Sequence, residues 1–167
     1  MNEALRWTLI VFYATHIPIT LLFDGQALLP EWLYHRAVKS LLDSYVEFAN
    51  DPLMRRGETP EWLQCFIYCE MLLQLPFFFF AVYALMKKKE SFKVPGIIYG
   101  SHTSTTLLPI LHSFAVSAEL QFRDKLLLAS FYGPYLLFPF VTLLVCMRNE
   151  PLFGSVSNAY NYKAKIY

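Results

Sequence analysis

The chain has 167 residues and a formal net charge of +1, with 56% hydrophobic and only 16% charged residues. Soluble chains carry about a quarter charged residues, so this composition favours a membrane protein. A nearly neutral chain lacks the basic surface of a nucleic-acid-binding protein, and we expect no nucleic acid partner. The sequence shows no phosphate-binding loop, metal-ligand spacing or nucleophile triad. We therefore expect neither a metal ion nor a cofactor.

Four apolar blocks, residues 5–29, 62–86, 94–116 and 126–147, are each long enough to cross a bilayer core of about 30 Å. A soluble helical core is the alternative, but its helices would be shorter and would each carry a polar stripe. Every block contains proline, which removes a backbone donor and kinks a helix. The sequence predicts an all-α fold, a four-helix transmembrane bundle whose proline-kinked helices leave an internal cavity. The prolines are Pro18, Pro76, Pro109, Pro134 and Pro139.

The longest segment between two predicted spans, residues 30–61, has apolar residues at helical spacing opposite a charged face. This pattern predicts a short amphipathic helix that lies on the lumenal membrane surface or caps the bundle. Pro30 suits its first turn, and Asn50-Asp51-Pro52 is expected to end it. The apolar positions are Trp32, Val38, Leu41, Leu42, Tyr45 and Phe48.

Lysines next to the predicted spans indicate the orientation. The short link between the second and third spans contains Lys87, Lys88, Lys89 and Lys93. The positive-inside rule then places both termini in the cytosol, with the first span acting as an uncleaved anchor. Residues 1–150 form the predicted membrane domain and residues 151–167 a cytosolic tail.

The tail ends in Lys163-Ala-Lys165-Ile-Tyr. Lysines at the third and fifth positions from a cytosolic carboxyl end match the dilysine pattern for retrieval to the endoplasmic reticulum. A solvated basic tail is the alternative interpretation. Because the orientation places this end in the cytosol, we expect a multi-pass protein of the endoplasmic reticulum membrane.

Two carboxyl groups within the spans are candidate functional groups, because ionisable residues are costly in lipid. Asp24 lies about 7.5 Å below the predicted end of the first span, and Glu70 about 12 Å below the same face. Two carboxyl groups that meet would share a proton and leave one negative charge facing an apolar cavity. Such a site suits a cation with an apolar body. The alternative is structural, in which each carboxyl pairs with a backbone amide or marks the membrane interface.

Neutral side chains are predicted to surround these carboxyl groups. Gln74 lies one helical turn after Glu70 and Phe66 one turn before it. His16 is at the depth of His102 and is predicted to hydrogen-bond to it across the bundle. Further candidates for ligand contact are Tyr68, Thr105, Thr106, Tyr132 and Tyr135.

Several strings of the sequence resemble the EXPERA family, which includes the emopamil-binding sterol isomerase. They are His16-Ile-Pro-Ile-Thr-Leu, Gln26-Ala-Leu-Leu-Pro, Gln74-Leu-Pro-Phe-Phe, His102-Thr-x-Thr-Thr-Leu-x-Pro-Ile-Leu and Tyr132-x-Pro-Tyr. The resemblance implies a homodimer of the endoplasmic reticulum, with nuclear and lysosomal membranes as further locations. It also implies a role in cholesterol handling, ligands that are sterols or cationic amphiphiles, and a lysosomal cholesterol transporter as partner. In this family pattern Asp24 pairs with a ligand amine, Glu70 supports it, and Asp51 is structural.

Two functions remain open. One is a receptor without enzymatic activity that binds sterols, oxysterols and cationic amphiphiles and regulates cholesterol transport. The other is a sterol Δ8–Δ7 isomerase, which needs a proton donor and an acceptor at opposite ends of the shifting double bond. Asp24 and Glu70 are predicted to be adjacent, which suits charge pairing better than a relay. The isomerases carry histidine where this chain has Phe66. The sequence therefore favours the receptor.

Overall fold

A computed structural model describes residues 1–153, and these residues contain five α-helices and no strand. The tail lysines, Lys163 and Lys165, lie outside the described residues. The helices are α1 (Glu3–Leu22), α2 (Arg36–Ala49), α3 (Glu61–Met86), α4 (Lys93–Val116) and α5 (Phe122–Cys146). Short 3₁₀ turns occupy Asp24–Ala27, Glu31–Leu33 and Glu90–Phe92.

The predicted all-α fold is confirmed, and the prediction of four spans is met in part. Three segments, Glu3–Ala27, Glu61–Met86 and Phe122–Cys146, are long and apolar enough to cross a membrane. Helix α4 has 24 residues and is also long enough, but it is less apolar than the other three. The reason is its polar run Ser101-His102-Thr103-Ser104-Thr105-Thr106.

The predicted amphipathic helix is present as α2, the fifth helix, and begins later than expected. Pro30 starts the separate turn Glu31–Leu33, and α2 begins only at Arg36. Asn50 ends the helix as predicted, in the left-handed conformation with φ of 51°. Leu42 and Ala49 are buried, whereas Leu41 and Phe48 on another face are exposed.

Helix α3 contains one π-helical turn, Glu70–Gln74, between its two α-helical parts. Pro76 has no amide proton and its ring crowds the carbonyl of the preceding turn, so the regular hydrogen-bond ladder cannot continue through it. The amide of Leu75 instead donates to the carbonyl of Glu70, five residues earlier. Such turns are frequent at functional sites, and this one begins and ends at predicted site residues.

The end of the bundle where α1 begins is held by charged side chains, and we call it the N-terminal end. Arg6 is buried and donates to the Glu3 carboxylate and to the carbonyl of Leu85 near the end of α3. Lys88 forms an ion pair with Glu3 at 2.8 Å. The opposite end, where α2 lies, is called the α2 end.

Aromatic side chains fill the core between the N-terminal end and the middle of the bundle. Tyr13 is fully buried, and its hydroxyl lies 2.7 Å from the hydroxyl of Thr142 on α5. The rings of Phe77 and Tyr99 stack at 4.4 Å, and Phe78 is fully buried beside them. This packing joins α1, α3, α4 and α5 below the region where Asp24 and Glu70 lie.

Helices α4 and α5 approach each other closely at Gly100. A Cβ atom at this position would lie 2.6 Å from the carbonyl oxygen of Pro139 and 2.8 Å from the Cβ of Leu143. Backbone on the opposing helix cannot rotate out of the way as a side chain can. Small residues allow such close packing between helices in membranes.

We expect Gly100→Ala to destabilise the folded protein by about 1–3 kcal/mol, the usual cost of forcing a methyl group into a packed core. Gly133→Ala is the matched control, because a Cβ on this α5 residue meets nothing within 4 Å. Thermal unfolding of both variants in the same detergent measures the difference. Equal unfolding midpoints for the two variants would show that α4 and α5 separate at little cost.

Candidate functional site

A cavity of about 300 Å³ lies among α1, α3, α4 and α5, and α2 with its following loop contributes to its wall. It contains most of the predicted ligand-binding residues, namely His16, Asp24, Phe66, Glu70, Gln74, Tyr132 and Tyr135. The sequence analysis named Leu42 and Tyr45 as positions of the amphipathic helix and Thr106 as a polar contact, and it did not select the other lining residues, Ile19, Phe23, Met54, Leu63, Ile67, Tyr99, Thr103, Leu107, Ile110 and Phe131. Among the described residues, Asp24 and Glu70 are the only ones that bring a carboxyl group to this wall, which is otherwise mainly apolar.

Asp24 reaches the cavity from the 3₁₀ turn that follows α1, not from a regular helix as predicted. The α-helical hydrogen bonds of α1 end with the amide of Phe23, which donates to the carbonyl of Ile19. Asp and Gly are weak helix formers, and the sequence Asp24-Gly25 therefore favours the change to a tighter turn. The carboxyl group of Asp24 is partly buried at the α2 end of the cavity.

Glu70 begins the π-helical turn of α3 and is oriented by α1. The hydroxyl of Thr20 donates to Oε1 of Glu70 at 2.6 Å, and Thr20 is itself fully buried. No hydrogen bond joins Glu70 to Asp24 within the part of the chain that the structure describes. The two carboxyl groups therefore share the cavity, and Thr20 makes the contact to Glu70 that the sequence had assigned to Asp24.

Two further polar side chains lie deeper in the cavity, toward the N-terminal end. Oε1 of Gln74 accepts a hydrogen bond from the hydroxyl of Thr103 on α4 at 3.1 Å. Nδ1 of His16 lies 3.0 Å from the carbonyl oxygen of Phe12. The predicted hydrogen bond between His16 and His102 is not made, and Nε2 of His102 has no partner among the described residues.

Asp51 is fully buried beside the cavity and ties the loop after α2 to α5. Its Oδ2 accepts hydrogen bonds from the hydroxyls of Tyr45 at 2.9 Å and Tyr132 at 2.7 Å. Its Oδ1 accepts from the amide of Leu53 at 2.9 Å. Burial, together with the negative charge of Asp51, raises the pKa of Tyr45, so its hydroxyl keeps the proton that it donates. The geometry fits the structural role that the family pattern implies for this carboxylate.

Tyr68 and Thr105 lie outside the cavity. The ring of Tyr68 is 53% exposed on the outer surface of α3. The hydroxyl of Thr105 donates to the carbonyl of Ser101 on the outside of α4, at 2.8 Å. Phe66 and Tyr68 are two residues apart and so point in different directions from a helix, and only Phe66 lines the wall.

The sequence analysis did not select Thr20, Tyr45 and Thr103, which orient the groups above. Thr20 could have been found by spacing, because it lies four residues before Asp24, at the end of the same predicted span. Tyr45 gave no comparable signal because its partner Asp51 lies beyond the end of α2, and Thr103 gave none because Gln74 is on another helix.

The fold and the cavity together define a class of protein, an all-helical membrane protein whose helices surround an apolar cavity with two carboxyl groups at one end. The described residues contain no cluster of His, Cys, Asp and Glu that could hold a metal ion.

Comparison with known families matches residues 37–146 to EXPERA, the expanded EBP superfamily, and the chain belongs to this family. Sigma intracellular receptor 2 of Homo sapiens is 40% identical over 160 residues, which cover 89% of this chain and 90% of that receptor. The receptor of the same name from Xenopus tropicalis is 40% identical over 156 residues, covering 88% and 90%. Efficient mitochondria targeting-associated protein 19 of Saccharomyces cerevisiae is 32% identical over 145 residues, covering 77% and 88%. The family predicted from the sequence is thus confirmed.

Proposed function

We propose that the protein is a receptor of the endoplasmic reticulum membrane that binds sterols, oxysterols and cationic amphiphiles in this cavity and regulates cholesterol transport. The observation that carries the proposal is the pair of carboxyl groups, Asp24 and Glu70, on an otherwise mainly apolar wall. A cation with an apolar body complements both parts of such a wall. Two of the named relatives, from Homo sapiens and Xenopus tropicalis, are receptors by name, which supports the same function.

In the proposed complex, ionised Asp24 pairs with the ligand ammonium group. Glu70 supports the pair as the neighbouring carboxyl group, and the hydroxyl of Thr20 fixes its orientation. The rings of Phe66, Tyr132 and Tyr135 line the wall, where aromatic faces attract a cation and cover the apolar body of the ligand.

The alternative is a sterol isomerase, and membership of the EBP superfamily is the observation that favours it. Isomerisation needs an acid and a base on either side of the reacting double bond. Here both carboxyl groups belong to one end of the cavity, and the position one turn before Glu70 is Phe66. We therefore expect no shift of the double bond when the purified protein is incubated with a Δ8 sterol. Formation of the Δ7 product, lost in Glu70→Gln, would identify an enzyme instead.

The proposed location rests on Lys163 and Lys165 as a retrieval signal and on the lysine-rich link after α3. We also propose that α4 crosses the membrane, so that both termini face the cytosol and α2 faces the lumen. A homodimer and a lysosomal cholesterol transporter are the proposed protein partners, on the family resemblance alone.

This orientation predicts which exposed positions a membrane-impermeant thiol reagent can reach. In a variant without Cys65, Cys69 and Cys146, we expect Lys87→Cys to react when only the plasma membrane is opened. Glu47→Cys, on the exposed face of α2, is the matched control and should react only after the endoplasmic reticulum membrane is opened as well. The reverse pattern would show that the topology is opposite to the proposed one.

A further inference from the structure

The inner end of the cavity contains two polar atoms without partners. His16 and Gln74 are 6% and 8% exposed, and both line the cavity. Nε2 of His16 and Nε2 of Gln74 make no hydrogen bond within the described part of the chain. Neither atom is among the fully enclosed polar atoms that lack a partner, so both face the open space of the cavity.

Both side chains line the cavity, and His16 contacts the part of α3 that follows Gln74. The ring of His16 lies 5.2 Å from the ring of Phe78, which is one turn beyond Gln74 on α3. Tyr135, at 4.5 Å from His16, holds the imidazole from the side of α5. Thr103 holds the amide of Gln74 from the side of α4. We call His16 and Gln74 together the floor pair.

The floor pair has one acceptor and one donor. The carbonyl of Phe12 can only accept a hydrogen bond, so the neutral imidazole of His16 carries its proton on Nδ1 and presents a lone pair on Nε2. Oε1 of Gln74 is occupied by Thr103, so the amide presents its N–H groups to the cavity. An alcohol both donates and accepts, whereas a ketone only accepts and an ammonium group only donates.

We infer that the floor pair recognises the hydroxyl group of an apolar alcohol, such as the 3-hydroxyl of a sterol, with His16 accepting from it and Gln74 donating to it. The inference rests on the proposed function, because it assumes an apolar ligand in the cavity. Asp24 follows His16 by eight residues, beyond the end of α1, and Glu70 precedes Gln74 by one π-helical turn. The cavity therefore has separate subsites for a cation and for a hydroxyl group.

The test compares a sterol alcohol with its ketone, cholestanol with cholestan-3-one, on the full chain in lipid nanodiscs. We expect the wild-type protein to bind the alcohol about tenfold more tightly, because the ketone leaves Nε2 of His16 without a donor. His16→Phe keeps an aromatic ring against Phe78 and Tyr135. In this variant we expect the affinity for the alcohol to fall about tenfold and the affinity for the ketone to stay unchanged. The preference for the alcohol then disappears.

Gln74→Met gives the complementary result, because both the alcohol and the ketone accept from Gln74. We expect the affinity for each of the two sterols to fall by about five- to tenfold, so that the preference for the alcohol is retained. Thr105→Val removes a hydroxyl group outside the cavity and should change neither affinity. The thermal unfolding midpoint of each variant, measured without ligand, should stay close to the wild-type value, which shows that each variant is folded. Binding of a cationic amphiphile without a hydroxyl group to the wild-type protein tests the proposed function separately.

Equal binding of alcohol and ketone by the wild-type protein, or a preference that persists in His16→Phe, would overturn the inference. If the cationic amphiphile still binds through Asp24 in that case, the proposed function stands and only the floor pair is wrong. Absence of binding of both sterols and of the amphiphile to the wild-type protein would overturn the proposed function and this inference together.

Discussion

Asp24→Asn is expected to lower the affinity for a cationic amphiphile by two orders of magnitude or more. The ligand ammonium group would enter the mainly apolar cavity without its counter-ion, which costs about 3–5 kcal/mol for a buried charge that has lost its partner. Each 1.4 kcal/mol corresponds to about a tenfold change in affinity. Equilibrium binding of a radiolabelled amphiphile to the purified variant measures the loss.

A neutral sterol is the internal control for Asp24→Asn, because it brings no charge that could lose a partner. We expect its affinity to change by less than about tenfold. Asp43→Asn is the matched control variant, since Asp43 is an exposed acid on α2 that pairs with Arg56 outside the cavity. Equal losses for sterol and amphiphile, or an unchanged amphiphile affinity, would mean that Asp24 is structural.

Asp51→Ala is expected to lower the free energy of unfolding by about 3 kcal/mol or more. The substitution leaves the hydroxyls of Tyr45 and Tyr132 and the amide of Leu53 without their common acceptor. Hydrogen bonds to a charged group contribute about 1.5–3 kcal/mol each, and their losses at one carboxylate are not additive. The midpoint of thermal unfolding in detergent should therefore fall clearly.

Asp43→Ala supplies the comparison for stability, because its carboxylate is 62% exposed and pairs with Arg56 at the surface. Exposed ion pairs contribute about 0–1 kcal/mol, so this variant should unfold close to the wild-type temperature. Asp51→Asn keeps an acceptor oxygen and should recover part of the stability. If Asp51→Ala unfolds like Asp43→Ala, the loop after α2 is held by its apolar contacts instead.

The positions of the long helices could be predicted from the sequence because lipid requires every backbone polar group to be paired within the segment. This requirement produces apolar blocks whose length shows in the sequence alone. Helix α4 departs from that pattern, since the run from Ser101 to Thr106 lowers its apolarity. Part of that run serves the interior, as Thr103 does for Gln74.

The site could be predicted only as far as single helices determine it. Spacing along α1 and α3 identified His16, Asp24, Phe66, Glu70 and Gln74, all of which line the cavity. Spacing could not show that Asp24 lies on a 3₁₀ turn or that Thr20 takes one oxygen of Glu70, because both depend on how α1 meets α3. Tyr68 was selected by its residue type, and its side chain points away from the cavity.

The hydrogen bonds of Asp51 also have a consequence for how fast the cavity exchanges its contents. Leu42, Tyr45 and Met54 form the wall on the side of α2, and the loop that carries Met54 is fastened to α5 by Asp51 and by Asn50, which donates to Asp124. Passage on this side requires these bonds to open, and such steps take microseconds to milliseconds or longer. Two ligands of equal affinity can then differ widely in residence time, according to how far each one must displace this wall to leave.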